Sequence, residues 1–400
     1  MTITVPLQTI DARQMRQVNR SAILELVRQN SPIARSEIGR LLELSAPTVI
    51  RIVDELIADG LVRATGEMAG TAGRPRELLE YNRQGGLVIG IDLGGTRLYG
   101  ALATIGGEIL AETHQRRHGS SGEESYALVA ESVRCLVQAA ASSSPPLLGL
   151  AVGAPGVTHA ASGVVEWAPS LNWRNFPLKQ RLAEEFDLPA AVDNDVNLAV
   201  LGEQWFGAGR GARNMILLSL GTGMGGGMVI DGVLYRGFHE AAGEVGYMLP
   251  DNKALGRRYA DGFGALENIV SGTGITRRAA KLLAAEGHSV EAEALSANLV
   301  FEAARGGERW ALKIVAETVD YLSLAVANVA TLLDPELVIL GGGIAGSADL
   351  LIDPILQRID GTIQHTPRIV ASELGSKATA MGAIPLVLQM TKDYYLVRRL

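Results

Sequence analysis

The chain has 400 residues, 47% hydrophobic and 20% charged, which is too long for one ordinary core and too apolar for a disordered polymer, so two or three globular domains are expected. Its single cysteine, Cys135, excludes an intrachain disulfide and any multi-cysteine zinc site; no apolar run reaches the ~18 residues that span a bilayer, and no basic-then-apolar leader opens the chain, so a soluble cytoplasmic protein is expected. The net charge of −7 is uneven: up to Gln84 there are 11 Arg, no Lys and 10 acidic residues, while the remainder carries 25 basic against 33 acidic residues. An Arg-only, near-neutral segment on an acidic body is compatible with a local basic face that meets DNA.

Ser21–Gln29 places Ile23, Leu24, Leu26 and Val27 on a helical stripe that Gln29-Asn-Ser-Pro32 breaks. Ser36 is a fair N-cap for a short helix through Ile38, Leu41 and Leu42. Ser45 caps a third helix with Pro47 in its first turn, a buried stripe of Val49, Ile52, Val53, Leu56 and Ile57, and an opposite face that begins with Ala46, Pro47, Thr48 and Arg51. Two short helices joined by a tight turn, the second offering small and basic residues, form the helix-turn-helix pattern. Leu61–Thr65 and Leu78–Tyr81 read as strands flanking a loop that contains Gly73-Arg74-Pro75-Arg76, the wing of a winged helix. Thr48 and Arg51 are the candidates for base contacts, and Arg74 and Arg76 for the minor groove or phosphates. A three-helix dimerisation bundle with a solvated loop is the alternative.

After Asn82-Arg-Gln-Gly-Gly86 strands and helices alternate, which argues an α/β body. One plan occurs twice: an apolar strand, a Gly/Thr turn, a second strand, a Gly turn and a third strand. The first copy runs from Leu87 through Asp92-Leu-Gly94-Gly95-Thr96 and Ile105 to Gly106-Gly107, the second from Met215 through Leu220-Gly221-Thr222-Gly223 to Asp231-Gly232. The repeat suggests two similar half-domains facing each other, with turns whose N–H groups and hydroxyl can face a phosphate. Helices are expected at Glu123–Ser142, where Cys135 reads as buried filler, at Leu178–Phe186, Val196–Trp205 and Glu308–Leu333, and from about Ser347; strands are expected at Leu147–Val152, Ala190–Val192 and Leu337–Leu340.

Asp92, two residues before Gly94, can hold a magnesium ion or its waters beside a phosphate. Gly341-Gly342-Gly343 lets a helix start pack on an adenine or ribose. Val192-Asp-Asn194-Asp195-Val-Asn197 opens a helix after a buried strand: a carboxylate there can take a proton from a sugar hydroxyl, and the same residue types also serve as plain helix caps.

The winged helix followed by Asp92-Leu-Gly-Gly-Thr96, Gly153-Ala-Pro-Gly156, Asn194-Asp195, Leu220-Gly-Thr-Gly-Met-Gly-Gly226 and Gly243-Glu-Val-Gly246 resembles the ROK family (repressors, open reading frames and sugar kinases), from Gln14 to about Leu388. The resemblance implies an actin/hexokinase-like (ribonuclease H-like) two-lobed body, residues 83–400, behind a winged helix-turn-helix domain, residues 1–82; one lobe takes about 83–193 plus the C-terminal helix and the other 194–380. It implies that Asp195 is the general base in the kinases, and that Asn172, Asn194, Glu244 and Glu267 hold the sugar. The chain departs from the family at Tyr247, where a His that touches sugar and zinc is usual, and in Leu255–Glu267, which has no cysteine, so no zinc is expected. Tyr247 either donates its hydroxyl to a sugar or fills the space the metal leaves; His239 reads as a loop histidine; Ser170 stands where kinases often have Asn.

The first reading is a sugar-responsive transcriptional regulator, a repressor of carbohydrate-utilisation genes, with operator DNA and a monosaccharide (xylose or glucose by resemblance) as partners, no membrane, and a homodimer or dimer of dimers. The alternative is an ATP-dependent sugar kinase that uses Mg-ATP on Gly94–Thr96 and Gly221–Gly223 with Asp195 as base. A third is a structural DNA binder with a degenerate body.

Overall fold

The computed structural model describes residues 12–69, 76–117, 121–257, 263–287 and 295–391. Helix α1 (Ala12–Asn30) buries Ile23, Leu24 and Val27, then β1 (Ile33–Ala34), α2 (Arg35–Leu41) and α3 (Ala46–Ala58) follow. Helix α1 begins well before the expected Ser21; its first turns carry no apolar stripe to show them in the sequence, and Arg16–Glu55 (2.7 Å) and Arg20–Asp59 (2.6 Å) fasten that end to α3 and its exit. Ser36 is not the cap of α2: Ala34 is, without a side-chain bond, because β1 pairs with a later strand. Ser45 does cap α3 and accepts the Thr48 N–H, and Val49, Ile52, Val53 and Leu56 are its buried residues, with Ile57 only half-buried. Strands β2 (Val62–Ala69) and β3 (Arg76–Tyr81) pair antiparallel, and β1 joins the far side of β3. Arg76 starts β3 in solvent, while Arg74 lies outside the described residues.

The body opens with β4 (Leu87–Leu93), β5 (Arg97–Thr104), β6 (Ile109–Arg116), α4 (Gly122–Ala140) and β7 (Leu147–Ala154). A small antiparallel sheet of β8 (Val157–His159), β9 (Val164–Ala168) and β10 (Trp173–Phe176) precedes α5 (Leu178–Phe186), β11 (Ala190–Asn194) and α6 (Asp195–Phe206). The second repeat supplies β12 (Met215–Leu220), β13 (Met224–Ile230) and β14 (Val233–Tyr235). Helices α7 (Glu267–Val270), α8 (Gly272–Ala285), α9 (Ala297–Arg305) and α10 (Arg309–Leu333) lead to β15 (Leu337–Gly341), α11 (Ile352–Ile359), β16 (Arg368–Ala371) and α12 (Ala378–Thr391). The region after β15 is a 3-10 turn, Ala345–Leu350, so α11 starts later than the expected Ser347.

The duplication goes further than the two hairpins. The five-stranded sheets run β11-β7-β4-β5-β6 and β14-β13-β12-β15-β16, and in each the hairpin strand pairs in parallel with a later strand, which pairs in parallel with another. Helix α4 buries Tyr126, Val129, Val133 and Leu136 in the core of the first sheet. Cys135 falls between those positions and is exposed, contrary to the expectation of buried filler. By length and composition α10 is the one helix among the described residues apolar enough to cross a bilayer; here Ile314, Val319, Leu322, Val326 and Val329 build the core of the second lobe.

Candidate functional site

The parallel register sets the cleft. Asp92 on β4 and Asp193 on β11 both pair with Gly153 on β7, so the carboxyl ends of three strands bring Asp92, Ala154 and Asn194-Asp195 together. The chain then enters α6 at Asp195. Asn194 caps that helix, its Oδ1 accepting the N–H of Val196 (2.9 Å) and Asn197 (3.1 Å), while its Nδ2 donates to the Gly156 carbonyl (3.0 Å). The capping role considered from sequence is thus realised, and it fixes the side chain beside Asp195.

Burial pushes the Asp92 carboxyl up to about 7, the neighbouring Asp195 adds to the rise, and Arg97 and the Thr379 hydroxyl oppose it. Asp195 is pushed up to about 6 by burial against the pull of the Val196 N–H. Glu244 is pushed up to about 7 by burial, then by Asp195 and Glu267; its backbone carbonyl accepts the Tyr247 N–H, and no donor reaches its carboxylate among the described residues. Glu267 is buried and accepts the N–H of Met224 on Oε1 (2.8 Å) and of Gly264 on Oε2 (3.1 Å), so it braces the second turn as well as facing Glu244. Tyr247 stands beside Glu244 and Glu267, more than half exposed, its hydroxyl held above the ordinary range by burial and those two carboxylates. Asn172 is exposed in the left-handed region (φ 54°) at the end of a 3-10 turn, next to the small sheet. His239 meets the Phe238 ring edge-on.

The two Gly/Thr turns have different braces. In the first, Gly94 N–H donates to the Arg97 carbonyl, the Gly95 carbonyl accepts Arg117 Nε (2.8 Å), and Thr96 is exposed. In the second, Gly221 N–H donates to Gly223 O, Gly272 N–H to Gly221 O and the Thr273 hydroxyl to Thr222 O (3.0 Å). Parallel pairing of Ser219 with Gly341 sets Gly341–Gly343 beside that turn. Gly342 has φ +80°, and a Cβ there would lie 2.5 Å from the Leu220 carbonyl oxygen, so only glycine fits.

Sequence reasoning missed the residues that hold these groups. Asp193 is fully buried: Oδ1 accepts Asn194 N–H (2.8 Å) and Asn197 Nδ2 (3.0 Å), and Oδ2 accepts Arg236 Nε (3.0 Å) and Nη2 (2.6 Å) from the second lobe. Glu240, 3.9 Å from Arg236, accepts the Ala160 N–H, a second tie across the lobes. The Thr379 hydroxyl donates to the Asp195 carbonyl (3.2 Å).

On the head, Thr48 is half-buried with its hydroxyl 2.8 Å from Ser45 Oγ, while Arg51 is exposed. At the seam of head and body a cavity of about 220 Å³ is lined by Arg28, Ser31, Arg63, Tyr81 and Arg83, away from the cleft.

A profile described as the ROK family matches residues 88–390, and one described as winged helix-turn-helix DNA-binding matches residues 18–63. The chain belongs to the ROK family. It is 30% identical over 388 residues to a xylose repressor of Caldicellulosiruptor bescii, covering 94% of this chain and 96% of that one. It is 35% identical over 324 residues to a glucokinase of Halalkalibacterium halodurans, covering 75% and 94%. Among solved structures, a ROK family transcriptional regulator, homolog of the E. coli Mlc protein, superposes with a TM-score of 0.82 at 27% identity over 96% of this chain and 98% of that one. A ROK glucokinase from Streptomyces griseus in complex with glucose and AMPPNP gives 0.67 at 29% identity over 76% and 100%. The ROK body is therefore shared with kinases, and similarity along the head as well is found with regulators.

Proposed function

We propose that this chain is a sugar-responsive transcriptional repressor of carbohydrate-utilisation genes. Its head holds operator DNA and its ROK cleft takes a monosaccharide of the xylose or glucose kind, in the cytoplasm and as a homodimer or dimer of dimers. Helix α6 carries the reading. Its first residue is Asp195, in the cleft, and its last turn holds Trp205, buried under the guanidinium of Arg28 at 4.4 Å from the ring centre. Arg28 ends α1 of the head and also donates to the Trp205 carbonyl (3.5 Å). One helix of 12 residues, about 18 Å long, thus runs from the cleft to the DNA-binding domain. Asn194, Asp195, Glu244 and Glu267, together with Asn172 and Tyr247, would fix the sugar hydroxyls. The cleft needs no zinc in this reading, with Tyr247 standing where the family's usual histidine would be.

Occupancy alters operator affinity only as far as the sugar binds the two head arrangements unequally. The test is an anisotropy titration of the full-length protein with operator duplex at fixed salt, with and without each pentose and hexose in a panel. One sugar is expected to change Kd by about fivefold or more; a panel that leaves Kd unmoved refutes the reading.

Asp195 favours a second reading. With its carboxyl near 6 it is ionised above neutral pH and can take a proton from a sugar hydroxyl, as an ATP-dependent sugar kinase requires. Gly94, Gly95, Thr96, Gly221, Thr222 and Gly223 would then hold phosphates, Asp92 the magnesium side, and Gly341, Gly342 and Gly343 the nucleoside. ADP release compared between the protein and Asp195→Asn separates the two; equal rates remove catalysis.

A further inference from the structure

The outer face of α3 carries an apolar group that the sequence reading passed over. Pro47, Ile50, Arg51, Asp54 and Ala58 follow one another at helical spacing and all are exposed. Ile50 is the large one, 49% exposed in the middle of the face, with Pro47 one turn before it. The core does not need it, since Val49, Ile52, Val53 and Leu56 already fill the inner side.

Charge on the head says what covers this face. Among the described residues, Arg16, Arg20, Arg28, Arg35, Arg40 and Arg63 are each paired with a carboxylate of the head. Arg51 and Arg76 make no ion pair among the described residues, and they lie on the outer face of α3 and the first residue of the wing's second strand. Both carboxylates along the face are held, Asp54 by Arg35 at 3.1 Å and Glu55 by Arg16 at 2.7 Å. Glu43 in the turn before α3 and Glu67 on β2 also make no ion pair among the described residues, but neither stands on the outer face of α3. On that face the unpaired charge is Arg51 and the centre is apolar, which fits a polyanion that also presents an apolar group. The C5-methyl of thymine is that group in the major groove. Thr48 serves less well as a base reader, because its hydroxyl is tied to Ser45 at the helix start.

We propose that Ile50 packs on a thymine methyl in each operator half-site, beside the base that Arg51 contacts. This rests on the DNA-binding reading of the head. It makes Ile50 a specificity-determining residue and requires a thymine at one fixed position.

The test starts with duplexes selected from a random pool by the full-length protein. Each thymine of a selected duplex is then replaced singly by deoxyuridine, which removes the methyl and nothing else. Wild type is expected to lose about fourfold in affinity at one thymine per half-site, the value of one buried methyl. Ile50→Ala is expected to bind the thymine and deoxyuridine duplexes alike, and Ile50→Val to keep part of the difference. If Ile50→Ala loses all binding, Ile50→Val decides by the same comparison. The proposal falls if no deoxyuridine replacement weakens wild type, or if both variants keep the full methyl dependence. It also falls if Ile50→Ala shifts the oligomer in sedimentation while the methyl dependence persists, since a second copy then covers the face. Failure of the folded protein to select any duplex would overturn the DNA-binding reading itself, and Ile50 with it.

Discussion

Replacing Arg236 by Met should unfasten the two lobes at a point the sequence does not advertise. Asp193 has no accessible surface, and its Oδ2 receives both of its hydrogen bonds from Arg236, at 3.0 and 2.6 Å. The Met variant leaves that oxygen charged, buried and without a donor, while Oδ1 keeps Asn194 and Asn197. Breaking a buried ion pair in this way costs about 3–5 kcal/mol. The Arg236 side chain keeps 24% of its surface, so water can reach part of the vacated space, and the lower end, about 3 kcal/mol, is expected. At roughly 2 °C per kcal/mol for a body of this size, Tm drops by about 6 °C. Asp193→Asn together with Arg236→Met removes the stranded charge and should recover at least about 1 kcal/mol of the loss, a coupling that a double-mutant cycle reads directly. Sugar affinity by calorimetry should fall in the single variant, because Asp193 is bonded to the Asn194 N–H beside Asp195. An Arg236→Met protein within about 0.5 kcal/mol of wild type, or a double variant whose losses simply add, would refute the reasoning.

The cleft should also make stability depend on pH. Asp92, Glu244 and Asp195 have raised pKa values, so the folded state keeps protons that the unfolded chain releases near pH 4, and stability falls as pH rises from about 4 to about 7. Glu244→Gln should therefore stabilise the sugar-free protein by on the order of 2 kcal/mol at pH 8 and by nothing at pH 4; a Tm difference independent of pH would contradict this. Gly342→Ala forces a Cβ onto the Leu220 carbonyl at a positive φ, and a loss of about 2 kcal/mol in thermal melts is expected; a melt like that of wild type would show that the turn can shift. Arg28→Ala should leave sugar affinity alone and shrink the effect of the sugar on operator Kd about threefold; an undiminished effect would mean that α6 does not speak to the head through Trp205.

The hairpin pairs β4–β5 and β12–β13 were legible because strand, turn and strand lie within some twenty residues and each carries its own apolar run and Gly/Thr turn. Their parallel partners were legible only as isolated strands. Nothing local in Leu147–Ala154 or Leu337–Gly341 tells which strand it will join. Cys135 went wrong for a related reason: it sits one position from the buried Leu136, and an apolar residue at the edge of a helical stripe looks the same as one at its centre. Asp92 and Asn194-Asp195 could be singled out by their place after buried runs. The groups that hold this region, Arg236 and Thr379, are 43 residues from Asp193 and 184 residues from Asp195, and an ion pair or hydrogen bond across such distances leaves no periodic trace.

The same long-range packing explains how a kinase-like body can serve a regulator. A Cβ on Gly202 of α6 would come within 2.1 Å of the Ala378 carbonyl oxygen, and one on Gly382 of α12 within 1.8 Å of the Leu198 carbonyl oxygen. The two helices therefore touch backbone to backbone, and neither can tilt without carrying the other. Helix α12 bonds the Asp195 carbonyl through Thr379 at its start and sends Met381, Ile384, Val387 and Leu388 into the apolar cluster that also contains Ile23, Leu24 and Val27 of α1. A sugar that moves Asp195 must move this pair, and the pair shares its buried surface with the head. A kinase gains nothing from that contact, because it has no head to move. In this chain it joins the cleft to the helix-turn-helix through close-packed helices and buried side chains, and packed interiors transmit displacement because they have little room to absorb it.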